Sequence, residues 1–198
     1  KLFSIPIPEF LQGFLPAQID IYAYGFLIAL GALLTYFYMS KQLKARFNIP
    51  TEQTQNLLIA LIIGGVVGGK LFFYFEDPSH YFGEPKNMLK NFGGGFVFYG
   101  SLIFDILIVL WFIRKHKIPV MQMLDIIAIA TCLVHGVGRI GCFMAGCCHG
   151  LPHDGIFSVV FTDPVCLAKP LNTPLHPTQL YSAGMIFSIL LILLLVKR

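Results

Sequence analysis

The chain has 198 residues, of which 56% are hydrophobic and only 12% are charged, with a formal net charge of +4. Soluble domains carry about 25% charged residues, so this composition excludes an ordinary soluble protein and indicates a membrane protein. No basic stripe with interleaved aromatic residues is present, which argues against a nucleic-acid partner. We therefore expect a single transmembrane domain over residues 1–198.

Five apolar segments follow one another along the chain. They cover residues 19–39, 55–75, 97–113, 121–145 and 177–196. A helix needs about 20 apolar residues to span the hydrocarbon core of a bilayer. The sequence therefore predicts an all-α polytopic membrane helix bundle with about five transmembrane helices. The opening residues, KLFSIPIPEF, lack the pattern of a cleavable signal peptide.

Basic residues in the loops predict the orientation of these helices. Lys41, Lys44 and Arg46 follow the first segment, residues 114–117 separate the third from the fourth, and residues 197–198 end the chain. With five spans, all three clusters fall on one side, which is cytoplasmic by the positive-inside rule. We therefore expect the N-terminus and the loops at 76–96 and 146–176 outside, and the C-terminus in the cytoplasm.

The fourth segment ends in HGVGRIGCFMAGCCHG at 135–150, which places Arg139 in an apolar run. An arginine near the middle of a membrane helix costs roughly 2.5–3.5 kcal/mol on insertion scales, which indicates a partner or a function. Asp125 is about 21 Å away along a helix, so the two residues cannot pair within it. We favour a bound anion, because arginine holds a phosphate with two parallel hydrogen bonds. The GxGxxG spacing here lacks the preceding strand of a dinucleotide site.

Other polar residues lie toward the same expected outer side. Lys70 is a second cation at a depth similar to that of Arg139, although it can also reach the interface by snorkelling. Tyr24 and Tyr99 are candidates for the site or for the aromatic belt of the interface. The glycines of GGGFVFYG at 93–100 predict a flexible or re-entrant approach to the third segment, and His176 lies just before the fifth.

The glycine pairs and the cysteines allow further interpretations of the sequence. The pairs at 64–65 and 68–69 have the small-xxx-small spacing that lets membrane helices approach closely. The chain has five cysteines, but their spacing matches no standard zinc pattern and includes no CxxC motif. We therefore expect no metal and no cofactor, with a cysteine-based redox or metal protein as an alternative.

At these residues the chain resembles the prolipoprotein diacylglyceryl transferase family. GRIGCFMAGCCHG at 138–150 is similar to the family pattern GRxGNFxNGExxG, and HPTQLY at 176–181 is similar to HP[ST]QLYE. IDIYAYGFLIALG at 19–31, VVGGKLFFYFED at 66–77, GGGFVFYGSLI at 93–103 and RKHKIPVMQMLDIIA at 114–128 resemble further family segments in the same order. Family members usually have seven spans, so this chain is short.

The chain departs from the family pattern at several positions and keeps it at others. Cys142 stands in place of Asn, Cys147 in place of Glu, Tyr99 in place of a His, Lys70 in place of an Arg, and Leu175 in place of another Arg. Tyr24, Arg139 and Gly150 match the family.

The resemblance implies a transferase of the bacterial cytoplasmic membrane whose site faces the outer leaflet. It would move a diacylglyceryl group from phosphatidylglycerol to the lipobox cysteine of a prolipoprotein signal peptide. Catalytic roles are expected for Tyr24, Tyr99, Arg139 and His176. Substrate-binding roles are expected for Lys70, Gly94, Gly95, Cys142, Gly150, Gln179 and Tyr181. A phospholipid-dependent transferase with a different acceptor and a non-catalytic lipid-binding protein are the other interpretations.

Overall fold

The computed structural model describes residues 3–6, 18–84, 86–90 and 92–196. The described helices are α1 Ala23–Phe47, α2 Thr51–Glu76, α3 Pro78–Gly83, α4 Lys86–Lys90, α5 Phe98–His116, α6 Val120–Ala145 and α7 Thr178–Val196. Strand β1 (Phe3–Pro6) pairs with β2 (Gln18–Ile21), and β3 (Val159–Val160) pairs with β4 (Pro174–Leu175), both antiparallel. The predicted all-α class is confirmed.

Four helices are long and apolar enough to cross a membrane by length and composition: α1, α2, α6 and α7. The predicted third span is α5, a helix of 19 residues that contains Asp105 and has Arg114, Lys115 and His116 in its last turn. The polytopic membrane bundle is therefore confirmed, whereas the orientation of the termini stays a prediction. Residues 197–198 and most of the opening stretch, on which parts of that prediction rest, lie outside the described residues.

Helix α1 continues well beyond the apolar segment predicted at 19–39. Its last residues include Lys44 and Arg46, and basic side chains near a helix C-terminus interact favourably with the terminal carbonyls. The helix ends where Asn48 takes a left-handed conformation with φ 55°, and Pro50 follows. Helix-forming Lys, Gln, Leu, Ala and Arg residues carry the helix past the apolar run.

The contacts divide the chain into two compact units, one of residues 1–38 and 127–198 and one of residues 39–126. In the second unit, α2 packs closely on α5 through glycines. A Cβ built on Gly68 would lie 2.9 Å from the carbonyl carbon of Gly100, and the Ser101 hydroxyl donates to Gly65 O at 2.6 Å. The predicted packing role of the glycine pairs is therefore confirmed.

In the first unit, small residues bring α6 against both α1 and α7. A Cβ built on Gly31 would lie 3.3 Å from Val134 O, and the buried Thr35 hydroxyl donates to Ala130 O at 3.3 Å. A Cβ built on Gly136 would lie 2.7 Å from the Phe187 ring. These contacts position the C-terminal part of α6, where Arg139 lies.

Candidate functional site

Arg139 lies on α6, partly exposed beside a small cavity. Its Nε donates to Nε2 of His135, one helical turn earlier, at 3.3 Å. Within the described part of the chain, no acidic side chain forms an ion pair with its guanidinium. Four of the five N–H groups of an arginine remain after one hydrogen bond, so the terminal fork is available to an anion.

The cavity beside Arg139 has a volume of about 250 Å³ and belongs wholly to the first unit. It is lined by Ile28, Val134, His135, Gly138, Arg139 and Cys142. Its lining is therefore apolar apart from the cation, the imidazole and one thiol. Such a lining suits a charged phosphate whose remainder is a hydrocarbon chain. The structure thus brings Arg139 and Cys142 together, as the sequence predicted.

Tyr24 faces the same part of α6 from α1. A Cβ built on Gly141 would lie 3.3 Å from Cδ2 of Tyr24. A larger residue at Gly141 would push the tyrosine away, so the glycine lets the ring approach the end of the helix.

Cys147 lies in the turn that follows α6. Its thiol donates to the backbone oxygen of Cys142 at 3.7 Å. Burial, followed by a hydrogen bond with Cys148 and by the nearby Cys142, raises the pKa of Cys147 to about 12. The thiol is therefore protonated at neutral pH, and only a thiolate is a strong nucleophile.

His176 lies just before α7 and contacts two other polar rings. Its Nδ1 is 3.0 Å from the Tyr181 hydroxyl, and its ring stacks on that of His153 with centroids 4.1 Å apart. The Tyr181 hydroxyl also lies 3.5 Å from Phe157 O, to which it donates. The imidazole is thus held in place by its Nδ1 contact and by stacking.

The turn after α6 is hydrogen-bonded to the start of α7. Gln179, fully buried, donates through Nε2 to Cys147 O, and the Thr178 hydroxyl donates to Cys148 O at 2.7 Å. The amide of Gly150 donates to His176 O at 2.8 Å, and a Cβ on Gly150 would lie 2.9 Å from Cβ of His176. Gly150 therefore permits this close approach, while its predicted contact with substrate stays a prediction.

In the second unit, Lys70 holds the glycine-rich stretch predicted to approach α5. Its Nζ donates to Gly95 O at 2.8 Å and also to Gly94 O. The ammonium group lies 5.3 Å from the ring centroid of Phe92 and 5.5 Å from that of Phe73. Two of the three ammonium donors are thus bonded to backbone. The structure thus brings Lys70 to the carbonyls of Gly94 and Gly95, a contact that the sequence did not predict, and the proposed binding of phosphate by Lys70 stays a prediction.

Tyr99 begins α5 and is 70% exposed, with a ring contact to its neighbour Phe98. It belongs to the second unit, as do Lys70, Gly94 and Gly95. The other predicted site residues, which are Tyr24, Arg139, Cys142, Gly150, His176, Gln179 and Tyr181, all belong to the first unit. The predicted catalytic role of Tyr99 stays a prediction.

Comparison with known proteins identifies the family. A family model described as prolipoprotein diacylglyceryl transferase matches residues 13–198. The chain belongs to this family. The match includes α1, Arg139 and the start of α7, and it agrees with the resemblance found in the sequence.

Relatives named phosphatidylglycerol–prolipoprotein diacylglyceryl transferase are similar to most of the chain. One from Clostridium tetani is 40% identical over 173 residues, which is 87% of this chain and 67% of the relative. A second, from Clostridium perfringens and numbered 2 in its name, is 32% identical over 177 residues, 89% of this chain and 68% of the relative. One from Rickettsia rickettsii is 33% identical over 170 residues, 85% of this chain and 62% of the relative. The chain thus spans about two thirds of the length of each.

Sequence reasoning missed several residues of this diacylglyceryl transferase family member. Asp105 lies within α5, and its Oδ1 is buried without a hydrogen-bond partner among the described residues. A lone acid in an apolar run is the signal that singled out Arg139, and it applies equally to Asp105. His135 was detectable as the residue four before Arg139, on the same helix face. His153 had no such signal, because it stacks on His176 only after folding.

Proposed function

We propose that this chain transfers a diacylglyceryl group from phosphatidylglycerol to the lipobox cysteine thiol of a prolipoprotein signal peptide. In this reaction the sulfur forms a bond to the glycerol carbon of the lipid, and the bond from that carbon to the phosphate oxygen breaks. The thiol proton passes to a base, and glycerol phosphate leaves with the electron pair. Arg139 carries the proposal, because it is an intramembrane cation beside an apolar cavity in the segment that most resembles the family pattern.

The proposed role of Arg139 is to bind the phosphate of the donor lipid and to stabilise the departing glycerol phosphate. Negative charge grows on the phosphate oxygens as the ester bond breaks, and a preorganised cation stabilises that charge. The hydrogen bond from Nε to His135 orients the guanidinium and leaves its terminal N–H groups for the phosphate. The lining of the cavity is mostly apolar, which would strengthen these charge contacts once a lipid occupies it.

His176 is the base that the contacts of the first unit support best. When the Tyr181 hydroxyl donates to Phe157 O, its oxygen accepts a hydrogen bond from the Nδ1–H group of His176. This tautomer leaves Nε2 of His176 with a lone pair that can accept the proton of the acceptor thiol. A free thiol has a pKa of about 8.5, so such a base would increase the thiolate fraction at neutral pH.

The membrane location that we propose is the bacterial cytoplasmic membrane, with the site open toward the outer leaflet. Four helices meet the length and composition of membrane spans, and the basic residues in the last turns of α1 and α5 favour a cytoplasmic position for those ends. The lipid donor would then enter sideways from the bilayer. The signal peptide would present its cysteine near the same leaflet.

Complementation is the most direct test of the function. A bacterial strain depleted of its own diacylglyceryl transferase would express this chain, an Arg139→Ala variant or no protein. Growth and lipid-modified prolipoprotein with the unchanged chain alone would support the proposal. Unmodified prolipoprotein in all three strains, with the chain present in the membrane, would contradict prolipoprotein as the acceptor.

A second candidate function keeps the phospholipid donor and changes the acceptor. It is favoured by Tyr99, which stands where the family pattern has His and which is largely exposed at the start of α5. Purified protein with phosphatidylglycerol and a lipobox peptide tests the difference. Release of glycerol phosphate without lipid on the peptide would favour the second candidate.

A further inference from the structure

Three cysteine sulfur atoms meet at the end of α6. The Sγ atoms of Cys142, Cys147 and Cys148 all lie within 4.8 Å of one another. Cys142 and Cys147 are partly buried, whereas Cys148 is exposed and open to an incoming ion. No disulfide joins them, and all three are free thiols. The C-x4-C-C spacing matches no standard zinc motif, so the sequence alone does not predict this grouping. The fold brings the three sulfur atoms together.

The backbone of the turn is held in an uncommon conformation that gathers the sulfurs. Gly146 has φ 73°, and Cys148 has φ 59° although it is not a glycine. Left-handed residues other than glycine, asparagine and aspartate are uncommon, and they persist where the surrounding structure holds them. The hydrogen bonds from Gln179 and Thr178 to the carbonyls of Cys147 and Cys148 do so here.

We infer that Cys142, Cys147 and Cys148 bind one thiophilic d10 cation, Zn²⁺ or Cu(I), through their three sulfur atoms. Zinc–sulfur bonds of about 2.3 Å in tetrahedral geometry place the sulfurs about 3.8 Å apart, and a trigonal arrangement places them about 4.0 Å apart. The sulfurs of the turn therefore need to approach one another by less than about 1 Å. Side-chain rotation can supply such a change without altering the backbone.

The chemistry of the donor set decides the class of ion. Thiolates are soft ligands that select Cu(I) and Zn²⁺, whereas Mg²⁺, Ca²⁺ and Mn²⁺ prefer oxygen ligands. A bound cation also favours deprotonated sulfur, so binding releases the thiol protons to solvent. Three thiolates complete a trigonal Cu(I) site, and a Zn²⁺ site takes a fourth ligand such as water.

Such an ion would join the last turn of α6 to the turn that follows it. Cys142 belongs to α6 and lines the Arg139 cavity, whereas Cys147 and Cys148 belong to the turn that is hydrogen-bonded to α7. Binding would therefore hold the cavity wall and the start of α7 in one arrangement. A ligand that binds the folded state alone raises the melting temperature.

The test measures metal binding by the purified full chain in detergent under reducing, oxygen-free conditions. Zn²⁺ and Cu(I) are titrated separately against a coloured competing chelator, and Co²⁺ reports sulfur coordination through its charge-transfer absorption. The variants are Cys142→Ser, Cys147→Ser and Cys148→Ser, each made alone. Cys132→Ser is the matched control, because Cys132 lies on the same helix about 15 Å from Cys142.

We expect one Zn²⁺ or one Cu(I) per chain in the unchanged protein and in Cys132→Ser, with a higher melting temperature when the ion is bound. Each of the three ligand variants should bind the ion at least about 100-fold more weakly. Even the loss of a group that hydrogen-bonds to a metal ligand lowers metal affinity roughly 10- to 100-fold.

Two results would overturn the inference. One is equal metal affinity in the unchanged protein and in Cys147→Ser, with both proteins eluting as single folded species. The other is a disulfide among these cysteines in protein purified without oxygen, detected as a mass that resists alkylation. These readouts do not depend on lipid transfer, so failure of the metal site and failure of the proposed function are distinguishable.

Discussion

Arg139 provides the sharpest test of the proposed reaction. Arg139→Ala removes the guanidinium and leaves the phosphate of a bound lipid facing an apolar cavity. Arg139→Lys keeps one positive charge but loses the planar fork that holds two phosphate oxygens together. We therefore expect Arg139→Ala to lose both lipid binding and turnover, and Arg139→Lys to keep binding while losing most of its turnover.

The size of the expected effect follows from the contacts of the side chain. Its Nε is already bonded to His135, so two terminal NH₂ groups remain for the leaving group. Removing one donor that stabilises charge in a transition state costs about 2.7–4 kcal/mol, or roughly 100- to 1000-fold in rate. Release of glycerol phosphate by purified variants in lipid should fall by at least this factor in Arg139→Ala, which removes both terminal NH₂ groups.

A matched control separates loss of charge from loss of the site. Arg114 is an exposed cation in the last turn of α5, outside the cavity beside Arg139, and Arg114→Ala should release glycerol phosphate at the normal rate. Monodisperse elution of each variant checks that it is folded. Near-normal release by Arg139→Ala would make Arg139 a structural residue and would refute its proposed role in binding the phosphate.

Three further predictions concern the base, the helix packing and the topology. Tyr181→Phe removes the partner of Nδ1 of His176, so glycerol phosphate release should slow; an unaltered rate would exclude this positioning role of Tyr181. Gly100→Ala should destabilise the protein by about 1–3 kcal/mol in thermal unfolding, because the added Cβ would lie 2.7 Å from a side chain of α2. The same change at Gly184 is the control, because the added Cβ would meet open space there and should be neutral. Ser79→Cys, in a chain whose native cysteines are replaced by serine, should react with an impermeant maleimide on intact cells; reaction only after the membrane is opened would reverse the predicted orientation.

The apolar segments and the arginine within one of them could be predicted from sequence because bilayer physics acts locally. The thickness of the hydrocarbon core sets the length of a span, and the cost of a buried charge singles out Arg139 without knowledge of its neighbours. The glycines at 64–65 and 68–69 also predicted close helix packing, because a residue without a side chain lets a neighbouring helix approach. Asp105, an acidic residue within an apolar run, was equally recognisable from the local sequence.

Groups that act together across sequence distance were decided only by the tertiary structure. Lys70 looked like a free cation in the sequence, yet its ammonium group bonds to carbonyls 24 and 25 residues away. The cysteine spacing argued against a metal site, but a left-handed turn brings the sulfur atoms of Cys142, Cys147 and Cys148 within 4.8 Å of one another. Hydrogen bonds and ligand sets depend on distances between atoms, and local patterns of apolar and charged residues do not encode those distances.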